Sequence, residues 1–440
     1  MKDAPVRISP KKHPLRGTVT VPGDKSITHR AVIFSALAEG PSEVVGYLPS
    51  EDCERTIAAF QEMGISISVE PINGVPSLHV QGKGLWGLTE PTGVLDCGNS
   101  GTTLRLLTGL LAGKPFFSVL TGDASLRKRP MRRVIDPLRT MGAEILGRSG
   151  GNLAPLAILG KKLHGIDTRL PIASAQVKSA ILLAGLTASG VTTVTEPSRS
   201  RDHTERMLRS LGARFEERDG RLSIVGGSSY PGKRIEVPGD LSSAAFFLVA
   251  GAIIEGSEIT IRKVGVNPTR AGLLEVLKEM GAEVTVAPLP SMGDEPVADL
   301  TVRSGALHGT TVRGELIPRT IDEFPILCIA AAAAEGETII QDAQELRVKE
   351  SDRIATMAGA LRGMGVTVEE FPDGMRIEGK KKWKGTFCET HGDHRIAMSM
   401  AIAGLLAEGG NEIDDVACIN TSFPGFMGLL STLTGEERKN

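Results

Sequence analysis

Leu277-Lys-Glu-Met-Gly-Ala282 is one copy of a short pattern that decides the fold of this 440-residue chain. In the pattern, an apolar residue is followed after two positions by Met or Leu, then by Gly, then by a residue that opens a β-forming stretch. Such a segment predicts the end of an amphipathic helix, a left-handed glycine and the start of a strand. The copies start at Phe60, Leu138, Leu208, Leu277 and Leu361.

A second pattern alternates with the first along the chain. It is an apolar helix rich in small residues, and a helix that is apolar on nearly every face is expected in the interior. Six such helices exceed one core of ordinary size, so we predict an α/β (α+β) fold of two similar halves with three buried helices each. The six copies end 66 to 80 residues apart, at Gly40, Gly113, Gly190, Gly256, Gly336 and Gly409.

The join between the halves is indicated by a longer repeat. Val21-Pro-Gly-Asp-Lys-Ser26 matches Val237-Pro-Gly-Asp-Leu-Ser242, and both segments lead into predicted buried helices. We therefore predict one continuous domain over residues 22–237 and a second domain made of 1–21 plus 238–440, which contains both termini. Two adjacent chain crossings would form a hinge.

The two chain ends are predicted to complete one another. The sixth amphipathic helix, about Pro424 to Leu433, runs out of sequence before strands can follow it. Two β-like stretches, Val6 to Ser9 and Gly17 to Val21, precede the first buried helix without a repeat of their own. We expect these N-terminal stretches to supply the strands of the sixth repeat.

Composition excludes several classes of function. A net charge of −2, with 41% hydrophobic and 23% charged residues, is typical of a soluble globular protein and offers no basic surface for nucleic acid. Met1 to Pro14 lacks the apolar core of a signal peptide, and no apolar run reaches the ~20 residues of a membrane helix. The five cysteines are scattered without zinc-binding spacing, as in a reducing compartment. We expect a cytoplasmic protein.

Polar side chains at the predicted starts of the buried helices are the first candidates for a site. Asp, Asn and Ser at these positions are ordinary N-caps, and we interpret Asp240 and Ser242 in that way because they have no basic neighbour in sequence. Capping does not explain the long side chains at the other helix starts. Helix N-termini attract phosphate and carboxylate groups, so we expect anion binding in a cleft between the domains. The side chains concerned are Lys25, Arg30, Gln176 and Arg395.

Three charged segments leave two interpretations open. Arg127 to Arg133 holds five cations in seven residues and no acid, which fits either a solvated run or an anion site. Ser200 to Glu205 is either a capped helix start or part of a site. Leu346 to Arg353 alternates acid and base, and some of its members are expected to form i,i+4 helix pairs.

The sequence lacks the residue spacing of nucleotide-binding, dinucleotide-binding and metal-binding motifs. Gly23-Asp24-Lys25-Ser26 lacks the four-residue spacer of a nucleotide-binding loop, and no Gly-x-Gly-x-x-Gly opens a helix. His391 and His394 are close-set and lack a third ligand, so a metal site is not predicted.

Seven segments together make the chain similar to a known family. In motifs and in motif order, the chain resembles the 5-enolpyruvylshikimate-3-phosphate synthases. The resemblance implies two similar domains, each with three βαβαββ units around three buried helices, the inside-out α/β barrel. It also implies a domain-closing enzyme of aromatic amino-acid biosynthesis that works as a monomer on small molecules, without metal or organic cofactor. The segments are Val21–Arg30, Gly98–Arg105, Arg129–Met131, Ser174–Ala180, Asp322–Pro325, Lys349–Arg353 and Asp393–Arg395.

The resemblance implies roles for individual residues. Residues implied to bind shikimate 3-phosphate are Lys25, Ser26, Arg30, Ser174, Ala175, Gln176, Arg201, Asp322 and Lys349. Residues implied to bind phosphoenolpyruvate are Lys25, Asn99, Gly101, Arg129, Gln176, Arg353, Asp393 and Arg395. Residues implied to be catalytic are Asp322, Glu350 and Lys25.

The implied reaction needs one base and one acid. The 5-hydroxyl of shikimate 3-phosphate attacks C2 of phosphoenolpyruvate while C3 takes up a proton, and the tetrahedral ketal then loses phosphate and a C3 proton. Asp322 is assigned as the base for the hydroxyl, and either Lys25 or Glu350 as the donor to C3. One branch of the family carries a Lys where this chain has Thr421. Either that cation is dispensable, or Arg127, Lys128 or Arg132 replaces it.

The sequence also admits two other functions. The sister enzyme, UDP-N-acetylglucosamine enolpyruvyl transferase, generally has a Cys in the loop that corresponds to Gly122–Pro130, and this loop has none. A non-catalytic repeat scaffold would have no reason to place Lys, Gln and Arg at the starts of buried helices. The resemblance also implies that glyphosate occupies the phosphoenolpyruvate site, beside Gly101.

Overall fold

The computed structural model describes residues 4–11 and 13–435. The strands are β1 (Val6–Ile8), β2 (Arg16–Thr20), β3 (Glu39–Val45), β4 (Ser66–Val69), β5 (Ser77–Lys83), β6 (Leu95–Asp96), β7 (Phe117–Thr121), β8 (Glu144–Arg148), β9 (Leu153–Leu159), β10 (Asp167–Arg169), β11 (Val191–Thr195), β12 (Phe215–Arg218), β13 (Arg221–Val225), β14 (Arg234–Glu236), β15 (Glu258–Gly265), β16 (Glu283–Met292), β17 (Glu295–Arg303), β18 (Thr311–Val312), β19 (Glu337–Ile340), β20 (Thr367–Phe371), β21 (Gly374–Glu378), β22 (Phe387–Cys388) and β23 (Asn411–Ile413).

Two kinds of α-helix alternate between these strands, as the two sequence patterns predict. The helices are α1 (Lys25–Leu37), α2 (Glu51–Glu62), α3 (Gly101–Ala112), α4 (Arg132–Thr140), α5 (Ala175–Gly185), α6 (His203–Leu211), α7 (Leu241–Ile253), α8 (Gly272–Glu279), α9 (Leu316–Thr320), α10 (Phe324–Ala333), α11 (Arg353–Gly363), α12 (His394–Gly404) and α13 (Phe426–Thr434). Short 3₁₀ helices lie at Leu126–Lys128, Ser149–Gly151, Gln344–Val348 and Ala417–Thr421.

The glycine of the first pattern has the predicted conformation in every copy. Gly64, Gly142, Gly212, Gly281 and Gly365 all have φ between +79° and +98°, the left-handed region that lets a helix stop and the chain turn into a strand.

Within the described residues, each repeat forms its own small sheet. The second repeat shows the plan: β6, α3, β7, α4, β8 and β9 follow one another, and the sheet order is β6-β7-β9-β8. The β6–β7 pair is parallel, whereas the β7–β9 and β8–β9 pairs are antiparallel. Five sheets have four strands and the sheet β1-β23-β22 has three. This is the predicted mixed α/β fold built from βαβαββ repeats.

The chain divides into two compact units, which we call lobe I and lobe II. Lobe I comprises Gly23–Pro238 and Ser291–Glu295, and lobe II comprises Met1–Pro22, Gly239–Pro290 and Pro296–Asn440. Each lobe has its own hydrophobic core. The interior helices are α1, α3 and α5 in lobe I and α7, α10 and α12 in lobe II.

The strands that flank the two matching Val-Pro-Gly-Asp segments pair with distant partners. In lobe I, β14 lies parallel to β3, and in lobe II, β2 lies parallel to β15. The strand β1 pairs antiparallel with β23 in the sixth sheet, so the prediction for Val6 to Ser9 is confirmed. The prediction for Gly17 to Val21 is wrong, because this stretch completes the sheet of the fourth repeat instead of the sixth.

Two interior helices approach one another closely at a position where one of them carries a glycine. A Cβ atom on Gly109 of α3 would lie 2.1 Å from the backbone oxygen of Ala180 in α5. The tight contact fixes α3 beside α5, and with them the relative positions of their N-terminal ends.

Candidate functional site

In lobe I, the three interior helices begin with capped N-termini. Asp24 accepts a hydrogen bond from the backbone N–H of Ile27, Ser100 caps α3, and Ser174 caps α5. The first residue or two of each helix then belongs to the predicted site: Lys25 and Ser26, Gly101, or Ala175 and Gln176. Capping satisfies part of each helix end, while the remaining N–H groups and the positive end of the helix dipole stay available to an anion.

Arg30 enters the interior of lobe I from α1. Its Nε donates to Thr204 Oγ1 at 2.6 Å, one terminal nitrogen donates to Ser179 Oγ at 2.8 Å, and the other donates to the backbone oxygen of Ser26 at 3.0 Å. Burial lowers the pKa of this guanidinium to about 10; Glu205 opposes that shift and the positive charge of Arg201 adds to it. Arg201 and Arg30 thus place two positive charges near this end of α1, which favours binding of an anion.

Lys25 has a partner that the sequence does not indicate. Its Nζ lies 2.9 Å from Asp52 Oδ2, and both side chains are largely buried. Asp52 belongs to the first turn of α2, where an acid is an ordinary complement to the helix dipole. Nothing in the local pattern distinguishes it from Glu51 or Glu54.

Gln176 is fixed by two side chains from α3. Its Oε1 accepts from Arg105 at 2.8 Å, and its Nε2 donates to Thr102 Oγ1 at 3.0 Å. Gly101 lies at the same place, since a Cβ atom there would be 2.6 Å from a terminal nitrogen of Arg105 and 3.3 Å from one of Arg129. Arg105 is therefore a candidate site residue that the sequence-based assignment omits.

The basic segment Arg127–Arg133 divides into exposed and buried members. Arg127 and Lys128 are exposed, whereas Arg129 is buried and donates to Asn99 Oδ1 at 2.6 Å. Asn99 in turn donates from Nδ2 to Asp123 at 2.7 Å. Of the two interpretations, the solvated run describes Arg127 and Lys128, and Arg129 is built into lobe I beside Asn99 and Gly101.

In lobe II, Asp322 is surrounded by three cations. Its oxygens lie 3.8 Å from Lys349 Nζ, 3.7 Å from Arg353 and 3.8 Å from Arg395, all longer than a hydrogen bond. Arg395 also donates to the backbone oxygen of Asp322 at 2.9 Å. The structure thus brings together the lobe II residues that the resemblance singles out.

Arg353 is the most deeply buried cation of this group, with 1% of its surface exposed. Its Nε donates to Asp393 at 2.8 Å and one terminal nitrogen donates to Glu350 at 2.7 Å. Burial alone would lower the pKa of Arg353, but the Asp393 and Glu350 carboxylates outweigh it and raise the pKa. The second terminal nitrogen, Nη1, is the one that lies 3.7 Å from Asp322, and it has no hydrogen-bond acceptor within residues 4–11 and 13–435.

Asp393 has a structural task besides any contact with a ligand. Its Oδ1 accepts from the backbone N–H of Arg395 at 3.0 Å and caps α12, and its Oδ2 holds Arg353 and Ser351. One carboxylate thereby holds the guanidinium of Arg353 and caps the helix start that carries Arg395.

The interpretation of Asp240 as an N-cap is confirmed, although Asp240 has a basic neighbour in space that the local sequence does not show. Asp240 accepts from the backbone N–H of Ser242 at 2.8 Å. A basic neighbour does exist, because Arg270 lies 3.2 Å from Asp240 and also donates to Ser242. Ser242 itself donates to Glu323. Arg270 is distant in sequence, in the loop before α8, and only the tertiary fold brings it to α7.

The described part of the chain gives no support to a metal centre or a membrane segment. Among these residues, no three His, Cys, Asp or Glu side chains are gathered so that they could hold a metal ion. No helix there is long and apolar enough to cross a membrane.

Comparisons with known proteins cover nearly the whole chain. A family model described as EPSP synthase (3-phosphoshikimate 1-carboxyvinyltransferase) matches residues 10–430. A protein of Pelotomaculum thermopropionicum named 3-phosphoshikimate 1-carboxyvinyltransferase is 57% identical over 422 residues, 96% of this chain and 97% of that protein. A protein of the same name from Geobacter sulfurreducens is 54% identical over 426 residues, 96% of this chain and 98% of that protein.

Solved structures agree with these sequences. The EPSP synthase from Acinetobacter baumannii has a TM-score of 0.86 at 48% identity, with 97% of each chain covered. The enolpyruvyl transferase NikO from Streptomyces tendae has a TM-score of 0.80 at 17% identity, with 98% of each chain covered, a similarity of fold alone. Since the family model and these relatives extend over almost all of its length, the chain belongs to the EPSP synthase family of transferases.

Proposed function

We propose that this chain transfers the 1-carboxyvinyl group of phosphoenolpyruvate to the 5-hydroxyl of shikimate 3-phosphate and releases phosphate. Family membership supports the reaction, and the two residue groups described above supply its chemistry. Lobe I gathers cations and helix N-termini suited to anions, and lobe II gathers carboxylates among cations suited to proton transfer.

One observation carries the assignment of an anion site in lobe II. Arg353 Nη1 is a buried, cationic donor without a hydrogen-bond acceptor among the described residues, since Asp322 lies 3.7 Å away, too far for a hydrogen bond; the other guanidinium nitrogens are held by carboxylates. Leaving such a donor unsatisfied costs about 1–3 kcal/mol, a cost that an incoming carboxylate or phosphate oxygen would remove. Phosphoenolpyruvate has both groups.

Shikimate 3-phosphate is assigned chiefly to lobe I. Arg30 and Arg201 provide two positive charges beside Ser26, and the capped N-terminus of α5 provides Ser174, Ala175 and Gln176. A phosphate that accepts from guanidinium groups and helix N–H groups forms charge-assisted bonds. Lys25, Asp322 and Lys349 complete the proposed set.

Phosphoenolpyruvate is assigned to the remaining cations and to the groups that hold them. Lys25, Arg129, Arg353 and Arg395 would neutralise its phosphate and carboxylate, with Gly101 and Gln176 beside them. Asn99 and Asp393 act by orientation, since Asn99 holds Arg129 and Asp393 holds Arg353.

The proton transfers are assigned to Asp322, Glu350 and Lys25. The Asp322 carboxylate would accept the proton of the 5-hydroxyl, and the three surrounding cations would stabilise the charge that moves during attack on C2. Either Glu350 or Lys25 would deliver the proton to C3 and recover it when phosphate leaves. Both are held by ion pairs, Glu350 to Arg353 and Lys25 to Asp52.

The reaction assay separates this function from the sister enzyme. Purified protein is given phosphoenolpyruvate and either shikimate 3-phosphate or UDP-N-acetylglucosamine, and released phosphate is measured. Turnover with shikimate 3-phosphate alone is expected. Turnover with only the nucleotide sugar would overturn the proposal. If neither acceptor raises the thermal midpoint of the protein, a scaffold would be favoured.

We further propose that the enzyme is a monomer of the cytoplasm. All of the assigned residues come from one chain, and the five cysteines are free thiols. Light scattering on the eluted protein should give the mass of one chain, about 46.5 kDa. Fractionation of the source cells should recover the protein with cytoplasmic markers.

A further inference from the structure

A buried carboxylate that has no role in the proposed reaction connects two parts of the lobe I site. Glu196 follows β11, and its side chain is 6% exposed. Its Oε1 accepts from the backbone N–H of Ser174 at 3.0 Å and from Ser200 Oγ at 2.6 Å. Its Oε2 accepts from Lys178 Nζ at 2.7 Å and from the backbone N–H of Ser200 at 3.3 Å.

Lys178 anchors this carboxylate in the interior. Its side chain is 1% exposed, and its Nζ lies 2.6 Å from Glu205 as well as 2.7 Å from Glu196. Burial alone would lower the pKa of Lys178, but the two carboxylates raise it, so the amine stays protonated. A buried ion pair contributes little net stability compared with apolar side chains of similar size, because its desolvation cost is large.

The position of the network gives it another task. Ser174 caps α5 and precedes Ala175 and Gln176, and Ser200 directly precedes Arg201. One carboxylate therefore fixes the start of α5 and the segment that presents Arg201. A second contact links the same elements, because Ser179 Oγ and Thr204 Oγ1 lie 2.7 Å apart and both accept from Arg30.

We infer that Glu196 is a positioning residue, which holds Ser174 and Arg201 at the separation that receives the phosphate of shikimate 3-phosphate. The inference rests on the proposed function. Glu196 makes no contact with substrate in this scheme. Its contribution is to keep the phosphate-binding groups ordered before the substrate arrives, which lowers the cost of binding.

The test compares two variants with a matched control. Glu196→Gln keeps the shape but offers one acceptor oxygen in place of two, and Glu205 remains to neutralise Lys178. Ser200→Ala removes one hydroxyl donor only. Glu62→Gln is the control, since Glu62 also accepts from a backbone N–H and the hydroxyl of one residue, Thr92, at 3.1 and 2.5 Å, but lies at the far end of α2.

Dissociation constants for shikimate 3-phosphate are measured by calorimetry, with KM and kcat for both substrates and a thermal midpoint for each protein. We expect Glu196→Gln to raise the dissociation constant about tenfold or more, and Ser200→Ala to raise it less. In both variants, kcat at saturating substrate should change less than the dissociation constant does. Glu62→Gln should bind as the wild type does.

The results that would contradict the inference differ from those that would contradict the proposed function. Equal dissociation constants for wild type, Glu196→Gln and Ser200→Ala would overturn the inference, as would a loss shared by Glu62→Gln or an equal fall in kcat and affinity for both substrates. If Glu196→Gln does not fold, Ser200→Ala decides by the same comparison. A wild type that neither binds nor converts shikimate 3-phosphate contradicts the proposed function itself, a result distinct from any variant's failure.

Discussion

Arg30 in lobe I and Arg353 in lobe II are both buried arginines of the proposed anion sites, but they are held in different ways. Arg30 donates to two hydroxyls and a backbone oxygen, all uncharged groups. Arg353 forms ion pairs with Glu350 and Asp393 and lies 3.7 Å from Asp322. Burial accordingly lowers the pKa of Arg30, and the carboxylates raise that of Arg353.

The difference teaches what each lobe is suited to do. A cation hydrogen-bonded to neutral groups is less fully compensated than one in direct ion pairs, although Glu205 offsets part of the charge of Arg30, so an incoming phosphate gains more of the electrostatic attraction. A cation that is held by carboxylates has its charge balanced by them, and it keeps these acids and bases in fixed positions. Lobe I is therefore better suited to binding, and lobe II to proton transfer.

Replacing Asp322 by Ala tests this division most severely. If lobe II carries the chemistry, loss of the base should reduce kcat by about 10²–10⁴-fold. The affinity for shikimate 3-phosphate should stay within about 1.4 kcal/mol of wild type, because lobe I supplies most of the binding. Steady-state kinetics and calorimetry measure the two effects, with Glu337→Ala, the loss of an exposed partner of Arg376, as control. Near-normal turnover would remove Asp322 from the mechanism.

Replacing each arginine by Met sharpens the comparison. Arg353→Met leaves buried carboxylates without their cation and should reduce the free energy of unfolding by about 3–5 kcal/mol. Arg30→Met should reduce it less, by about 1–3 kcal/mol, since the partners it leaves are uncharged. Urea titrations measure both values.

The loss of affinity for shikimate 3-phosphate should be larger in Arg30→Met than in Arg353→Met, the opposite of the order for stability. Arg30→Met should weaken shikimate 3-phosphate binding by about 1.5–3 kcal/mol, while folded Arg353→Met should bind it more nearly as wild type does. Equal losses of stability in the two variants, or stronger weakening by Arg353→Met, would contradict the contrast between the lobes.

The fold was predictable because its signals are local and repeated. The left-handed glycines after Met or Leu and the uniformly apolar helices are both read within a few residues, and the structure has them at the expected places. The strand β2 was misplaced because partner choice is not local. Nothing in Arg16–Thr20 distinguishes pairing with β15 from pairing with another edge strand of similar composition.

The site was predictable to the extent that its residues lie at helix starts. Arg30 and Arg395 stand out because a long cation inside an apolar helix needs an explanation. Asp52 and Arg270 do not stand out, since an acid in a first helical turn and a base in a loop are ordinary, and only the fold brings them to Lys25 and Asp240. The roles assigned to Arg30, Arg395 and the other site residues from the sequence stay predictions.

Gly101→Ala tests the anion site of lobe I at a finer level. The added methyl would lie 2.6 Å from Arg105 and 3.3 Å from Arg129, so Arg105 must shift from Gln176. Glyphosate is slightly longer than phosphoenolpyruvate, so its inhibition should weaken by about 1–3 kcal/mol and catalytic efficiency should fall less.

Competitive inhibition against phosphoenolpyruvate measures the effect of Gly101→Ala. The control is Gly359→Ala in α11, where an added methyl meets no atom within 4 Å. Equal inhibition constants for wild type and Gly101→Ala, or a wild type that glyphosate does not inhibit, would place Gly101 away from the substrate.

Lys114 in lobe I shows what happens when an amine, unlike a guanidinium, is buried among neutral groups. The side chain is 1% exposed and contacts the backbone oxygen of Leu85 and the ring of Trp86, whose centroid lies 5.4 Å from Nζ. Burial lowers the pKa of Lys114 from 10.5 to about 7, so the indole face compensates the charge only in part. Arg30 keeps its charge although it is also buried, because its ordinary pKa is higher and because Glu205 partly opposes the lowering.

Lys114→Met should therefore stabilise the protein by about 1 kcal/mol near pH 7, the smallest effect predicted here, because it removes a poorly compensated polar group. Between the native pKa of about 7 and the ordinary value of 10.5, the unfolded chain binds a proton that the native chain has released, so wild-type stability from this group rises with pH. The advantage of the variant should shrink as pH increases from 7 to 10. Urea titrations at several pH values measure it, with Lys178→Met as the contrast, since loss of that carboxylate-paired lysine should destabilise. A pH-independent gain, or stabilisation by both variants, would show that neutral and carboxylate partners hold buried cations equally well.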